Sequence, residues 1–301
     1  MKSKSKNNKK NEEKSSRKGL SPQQLISISS VFNDNGWKIK KELNPEDSLF
    51  NRFCERMLEV KDEEGQALFL DLAKRYLWLS SDFYFMNLLK ALEHLVSEYE
   101  KLTSDTKVYV MMLIAPKDEG KTKSSAMLLY LFNDTRLRID PRFSHYRFEI
   151  ISDKESLHQK MDDKDAVLVL VDDYIGTGDT AVACVEQLDK FGIKMEQIAI
   201  LSLVAQEEGK KKIEEKGIFF CTSNLRNKGI SDYYEGKELE KNVRLMQKIE
   251  KDLKVGEKSR FGYGQSEALV TMCRTPNNTF PVFWYEPELG IKKKLAPFPR
   301  F

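Results

Sequence analysis

The sequence predicts an α/β fold, with helices on both faces of a parallel sheet and a helical region ahead of it. Three observations carry this. Continuous apolar runs at residues 108–115 (VYVMMLIA), 166–171 (AVLVLV) and 198–204 (IAILSLV) read as strands buried on both faces. Segments of helical period alternate with them, the order that gives parallel sheets. One run ends in two aspartates and a Gly/Thr-rich turn that leads into a helix, VLVLVDDYIGTGDT over residues 167–180.

In chain order, Ser21-Pro22 starts a first helix, with proline where its missing N–H costs nothing. Asn44-Pro45-Glu46-Asp47 is a second start signal, leading into Phe50, Phe53, Met57 and Leu58. Phe69, Leu72, Ala73, Tyr76 and Leu77 recur at helical spacing, as do Phe85, Leu89, Leu92 and Val96; these stripes read as core. The first buried strand is followed by the loop PKDEGKTKSS and a helix over 126–132. Residues 148–151 form a strand, 166–171 a second buried strand, and 180–191 a helix closed by Gly192. A strand at 198–204, a charged helix at 207–216, a strand at 218–221 and an amphipathic helix at 237–254 follow. The last segment shows strand-like runs at 268–272 and 281–285 around the turn Thr275-Pro276-Asn277-Asn278-Thr279. The expected divisions are a basic tail at 1–19, a helical region at 20–106, an α/β core at 107–236, and a helix and hairpin at 237–301 that cover the site.

Composition narrows the function classes. No apolar run approaches the ~18–20 residues that span a bilayer, and no apolar stretch follows the charged N-terminus, so a cytoplasmic protein is expected. The four cysteines, Cys54, Cys184, Cys221 and Cys273, stand far apart, which argues against a zinc site or a disulfide framework. The three histidines, His94, His145 and His158, have no metal-ligand spacing. Eight basic residues against Glu12 and Glu13 give residues 1–19 a net charge of +6; the whole chain carries +3, so the remainder is at about −3. The tail reads as a solubilising extension, or as an arm for nucleic acid or an acidic partner.

The chemistry concentrates in residues 167–180. A buried strand delivers Asp172 and Asp173 to the carboxyl edge of the sheet, where ligands of open α/β sheets bind. Ionised carboxylates only accept hydrogen bonds, so vicinal ribose hydroxyls are natural partners. Gly176, Thr177, Gly178, Asp179 and Thr180 then open a helix whose N–H groups form an anion cradle.

This stretch resembles the phosphoribosyl-diphosphate motif of type I phosphoribosyltransferases: four apolar residues, two acids, a short spacer and Thr-Gly-x-Thr. Leu269-Val270, residues 275–281 and Trp284 are similar to the C-terminal pattern of phosphoribosyltransferase-like proteins of bacterial conflict systems. Ala115-Pro116, Gly120-Lys121 and Ser124-Ser125 look like their pyrophosphate-side loop. The similarity spans roughly residues 40–285. It implies a Rossmann-like sheet and a role in bacterial antiphage defence, in some relatives beside a retron reverse transcriptase. It also implies a phosphoribosyl diphosphate or nucleotide ligand, with Mg2+ held through that ligand rather than by the protein. On this reading Asp172, Asp173 and Lys121 are catalytic, and residues 176–180 hold the 5′-phosphate. Pro116, Gly120, Lys121, Thr122, Lys123 and Ser124 grip the pyrophosphate, while Arg260, Asn277 and Asn278 lie on the base or acceptor side. A defence-system partner would engage the basic tail, and a homo-oligomer is compatible.

Two alternatives stand beside this. In the first, the core binds a phosphorylated ribose without catalysis, as a sensor that signals to a partner. Residues 115–122 also fit a loose P-loop with alanine for the first glycine, so Gly120-Lys121-Thr122 would serve a nucleoside triphosphatase, although Thr-Gly-Asp-Thr has no task in that reading. Arg226 and Lys228 are further basic residues in loop-like sequence that suit a phosphate or a solvated surface.

Overall fold

The computed structural model describes residues 19–39, 48–116, 124–152, 154–289, 292–293 and 296–300. The N-terminal tail, the start signal at 44–47 and the loop residues Gly120, Lys121, Thr122 and Lys123 lie outside them. Helices α1 (Pro22–Asp34), α2 (Leu49–Glu59) and α3 (Glu63–Lys74) come first, then β1 (Leu77–Trp78) and α4 (Tyr84–Glu98). Ser21 caps α1 in a reciprocal capping box with Gln24, and Ser48 caps α2 through the Asn51 N–H at 3.1 Å.

The core follows as β2 (Lys107–Met112), α5 (Ser125–Leu131), α6 (Thr135–Ile139), β3 (Arg147–Ile150), α7 (Lys154–Met161) and β4 (Val167–Ile175). It continues through α8 (Asp179–Lys190), β5 (Ile198–Gln206), α9 (Glu207–Glu214) and β6 (Phe219–Arg226). The five long strands pair in parallel in the order β3-β2-β4-β5-β6, which makes β4 the centre of the sheet. Its side chains alternate: Val167, Val169 and Val171 face α4 and α5, while Leu168 and Leu170 face α7 and α8. A strand covered on both sides has no polar face, which is why its sequence reads as an unbroken apolar run.

β4 and β6 run further than expected. β4 does not stop at the two aspartates; it stays paired through Tyr174↔Val204 and Ile175↔Ala205, so both acids lie within the strand. β6 continues through Ala205↔Leu225 and Gln206↔Arg226 and delivers polar residues to the same edge.

The chain closes with α10 (Gly236–Asp252), β7 (Val270–Thr271), α11 (Pro281–Trp284), β8 (Glu288–Leu289) and β9 (Lys292–Lys293). Two expectations are corrected here. The run at 281–285 is helical, because Pro281 takes the first helical position, where its fixed φ and absent N–H are harmless. The run at 268–272 forms only the short β7, and its partner is distant: Leu77 pairs with Val270 and Trp78 with Thr271, so Leu77 belongs to a strand rather than to the preceding helical stripe. The antiparallel pair near the C-terminus is β8 with β9.

The N-terminal helices divide between two cores. α4 packs on the sheet. α1, α2 and α3 pack instead with α10 and α11 around Phe32, Trp37, Phe53, Phe69, Tyr76, Phe283 and Phe298. Phe53 stacks on Phe69 at 5.3 Å between ring centroids, and Tyr76 stacks on Phe298 at 4.8 Å. Phe53→Ala should therefore destabilise the protein by about 3–5 kcal/mol. Tyr130→Ala, at a site 75% exposed, should stay within about 0.5 kcal/mol. Urea midpoints of the two variants check the contrast.

Candidate functional site

The carboxyl edge of β4 opens into a cavity of about 490 Å³, a volume suited to a nucleotide-sized molecule. Its walls include Asp172 and Asp173 from β4, residues 176–180, Ser124 at the start of α5, and Tyr263, Arg274–Asn278 and Arg300 from the C-terminal part.

The two aspartates have different surroundings. Asp173 is 4% exposed; its Oδ2 accepts from the Tyr84 hydroxyl at 2.9 Å and its Oδ1 from Ser124 Oγ at 2.8 Å. The Tyr84 oxygen in turn accepts the Cys273 N–H at 3.2 Å. Burial, with the Asp173 charge second, pushes the Tyr84 phenol far above its ordinary range, so it remains a donor. Asp172 is half-buried, and its Oδ1 accepts the N–H of Asp173 at 2.9 Å. Protein hydroxyls thus engage both oxygens of Asp173, and both acids line the cavity.

The turn after β4 is shaped for close approach. Gly178 has φ +78°, a left-handed conformation that favours glycine, and it leads into α8 with no side-chain cap on the first N–H groups. A Cβ on Gly209 of α9 would collide with the Gly176 carbonyl, so the turn rests directly on α9 backbone. Thr177 Oγ1 donates to Asp179 Oδ2 at 2.9 Å, and Lys212 pairs with Asp179. Thr180 lines the cavity.

The opposite wall is a strap at 254–267 followed by the segment 271–278. Asn278 is buried and donates to Ser266 Oγ at 2.8 Å and the Tyr263 carbonyl at 3.3 Å, beneath Gly176. Its amide thus bonds the strap and packs against the turn, and Asn278 also lines the cavity. Asn277 lines the cavity, and its carbonyl accepts the Tyr263 N–H at 2.8 Å. Arg260 does not line the cavity; it lies near enough to the buried Glu250 to act on its charge. Both oxygens of Glu250 accept the Phe261 N–H, at 3.1 and 3.0 Å. Phe261, Gln265 and Glu267 all have positive φ, a strained conformation for non-glycine residues. Glu267 holds its end of the strap by accepting the Ile230 and Ser231 N–H groups at 2.8 and 2.7 Å.

Sequence reasoning missed two cations. Arg274 and Arg300 both line the cavity, and neither makes an ion pair among the described residues. Partial burial, then the neighbouring Arg274, lowers the pKa of Arg300, whose guanidinium also lies 5.9 Å from the Trp284 ring centroid. Arg274 directly precedes the turn at 275–279, a position that could have drawn notice; Arg300 arrives from a distant segment with no local signal. Tyr84 was hidden in the α4 stripe. Of the loop read as pyrophosphate-binding, Ser124 is at the cavity, Pro116 is exposed outside its lining, and residues 120–123 are not among those described.

Comparison with known proteins places this geometry in context. Residues 113–289 match the profile of the PRTase-CE family. The chain is 33% identical over 81 residues to an adenine phosphoribosyltransferase of Chlorobium phaeobacteroides (strain BS1), covering 27% of this chain and 46% of that one. It is 32% identical over 82 residues to an adenine phosphoribosyltransferase of Chlorobium limicola, covering 27% and 46%. The chain spans about half the length of these curated relatives. The orotate phosphoribosyltransferase structure from Aeropyrum pernix aligns at 17% identity and a TM-score of 0.30, over 48% of this chain and 71% of that one.

The strap carries a pH dependence. Burial pushes Glu250 from an ordinary 4.5 up to about 8, against the opposing pull of the Phe261 N–H and Arg260. The folded state then holds a proton that the unfolded state releases. This stabilisation is complete below about pH 4.5 and is lost as pH rises through about 8. Glu250→Gln should flatten the fall in stability between pH 5 and 8 and leave the variant more stable relative to wild type at pH 8 than at pH 5. Urea midpoints across that range check it.

Proposed function

This chain belongs to the PRTase-CE family, and on that premise we propose that it binds a 5-phosphoribosyl ligand in the β4-edge cavity and acts as a phosphoribosyltransferase. The observation that carries the reading is one cavity joining a carboxylate, an uncapped helix N-terminus and two cations that form no ion pair among the described residues. The N–H groups at 176–180, with the Thr177 and Thr180 hydroxyls, take the 5′-phosphate. Asp172 accepts from the ribose hydroxyls, while Asp173 holds Tyr84 and Ser124 and so fixes the wall around it. Lys121, with Thr122 and Lys123, takes the diphosphate from the β2–α5 side, and Arg274 and Arg300 face the ligand from the C-terminal side.

In the reaction, an acceptor atom bonds to ribose C1 as the bond from C1 to the diphosphate oxygen breaks, and the electron pair leaves with the diphosphate. Positioning and electrostatic stabilisation of that leaving group supply most of the rate. Among the described residues no group of three metal-ligating side chains gathers, and the cavity's carboxylates fit a divalent ion carried by ligand oxygens. Mg2+ bound in that way would neutralise charge on the diphosphate.

The engagement of both Asp173 oxygens by protein hydroxyls favours one second reading, a sensor that binds the ligand without turnover. Metabolite profiling of cells expressing wild type or Asp172→Asn separates the two: an enzyme changes a phosphoribosyl or nucleotide pool in a mutant-sensitive way, and a sensor leaves it unaltered. The C-terminal sequence pattern supports a setting in bacterial antiphage defence, which phage challenge of cells carrying the intact system and the Asp172→Asn variant tests.

Calorimetry on the purified chain checks the ligand assignment. Phosphoribosyl diphosphate and a nucleoside 5′-monophosphate should both bind, with Mg2+ strengthening only the diphosphate. Thr177→Val should weaken both. Lys121→Ala should weaken the diphosphate about tenfold or more, the scale of one lost charge-assisted hydrogen bond, and spare the monophosphate. Equal weakening of both ligands by Lys121→Ala would remove the diphosphate assignment. Strong ATP binding without competition from either ligand would favour the P-loop reading.

A further inference from the structure

Two strands along the same sheet edge, roughly 10 Å from the β4 turn by strand spacing, β6 ends at a second concavity of about 390 Å³. Four basic residues line it, Lys74, Arg75, Arg226 and Lys228, and among the described residues no acid does. The exposed Tyr233 forms part of the rim and stacks on Arg75, whose guanidinium carbon lies 3.6 Å from the ring centroid.

The charges here are not balanced from within. Arg75 pairs with Asp71 at 2.7 Å, and Lys228 with Glu208 at 3.0 Å. Arg226, largely shielded from solvent, has one hydrogen-bond acceptor among the described residues, the carbonyl of Arg75, and no carboxylate. Burial and then the Arg75 charge lower its pKa. Arg75 Nη1 donates to the Gly229 carbonyl at 2.8 Å and Nη2 also reaches the Tyr234 hydroxyl at 3.4 Å, while its Nε is buried with no partner among the described residues. Two like charges held together beside an open cavity, one of them unpaired, are unfavourable unless an anion joins them. A planar guanidinium pair suits phosphate oxygens, and an exposed tyrosine ring offers a face to a base.

We propose that this β6-edge cavity is a second binding site, separate from the β4 cavity, for the phosphate of a nucleotide. Arg226 grips the phosphate, Arg75 adds its charge and the second N–H of Nη1, Lys74 and Lys228 supply long-range attraction at the rim, and Tyr233 packs against the base. The same phosphate chemistry is offered by a free mononucleotide or by a nucleotide within a single strand.

The test is calorimetry of the full chain with AMP and, separately, with a short single-stranded oligonucleotide. The inference goes beyond the β4 reading, and the variants keep the two apart. Wild type should bind two equivalents of AMP. Arg226→Met should bind one, with phosphoribosyl diphosphate binding unchanged and thermal stability without ligand unchanged or raised, since a like-charge contact is removed. Lys74→Gln, at an exposed position, should weaken the second equivalent several-fold. Thr177→Val should weaken only the other equivalent; if it alters neither, the β4 reading fails while this one stands. Oligonucleotide binding tighter than AMP and sensitive to Arg226→Met assigns a strand as the source, whereas AMP binding alone assigns the free nucleotide. A single AMP equivalent in wild type that Arg226→Met leaves intact, or two in Arg226→Met and undiminished affinity in Lys74→Gln, overturns the proposal.

Discussion

The buried carboxylate of Asp173 is the constraint on which the site depends. A charge at 4% exposure is tolerable only with hydrogen bonds to its oxygens. Those come from Tyr84 on α4 and Ser124 at the head of α5, while the Tyr84 oxygen also receives the backbone of Cys273. One acid therefore fixes four parts of the chain relative to each other: the central strand, the helix over it, the start of the helix after β2, and the C-terminal wall. The site is built from segments more than 180 residues apart, and this knot brings them to one place.

The wall opposite β4 is held by a different device. The strap at 254–267 places Phe261, Gln265 and Glu267 in left-handed backbone, a cost of about 1 kcal/mol or more for each non-glycine residue. Such a path persists only when its surroundings impose it. Glu250 takes the Phe261 N–H, Glu267 takes those of Ile230 and Ser231, and Asn278 takes up the Tyr263 carbonyl and Ser266 hydroxyl. Behind them, Tyr76 bonds Thr271 at 2.7 Å, Thr271 lies 3.2 Å from Thr275, and Thr275 donates to the Phe298 carbonyl at 3.0 Å. The Asn277–Asn278 pair is thus framework as much as lining.

What could be read from sequence follows from how far each signal reaches along the chain. The parallel sheet was legible because burial on both faces leaves an unbroken apolar run, and the turn after β4 because a left-handed Gly178 before an uncapped helix leaves a local pattern. Strand ends were less legible: β4 and β6 extend as far as their partners allow, and pairing is not a local property. The 281–285 run was misjudged because apolar and aromatic residues suit a strand and a buried helix alike, and only Pro281 marked the difference. Arg300 and Tyr84 reach the cavity through tertiary contacts alone. Arg226 was visible as a basic residue, but its lack of a counter-charge appears only when its neighbours are known.

The charge pattern of the β4 cavity also limits how a ligand can lie in it. Adjacent residues on a strand point to opposite faces, yet Asp172 and Asp173 both line the cavity, because it opens at the carboxyl edge of the sheet. Asp173 is held by Tyr84 and Ser124, and the lining also contains Asp172, Asp179, the α8 N-terminus, Arg274 and Arg300. The lining therefore offers both hydrogen-bond acceptors and positive potential. The two acids of the motif are thus not equivalent in their surroundings: Asp173 ties α4 and the head of α5 to the central strand, while the Asp172 carboxylate takes the N–H of Asp173.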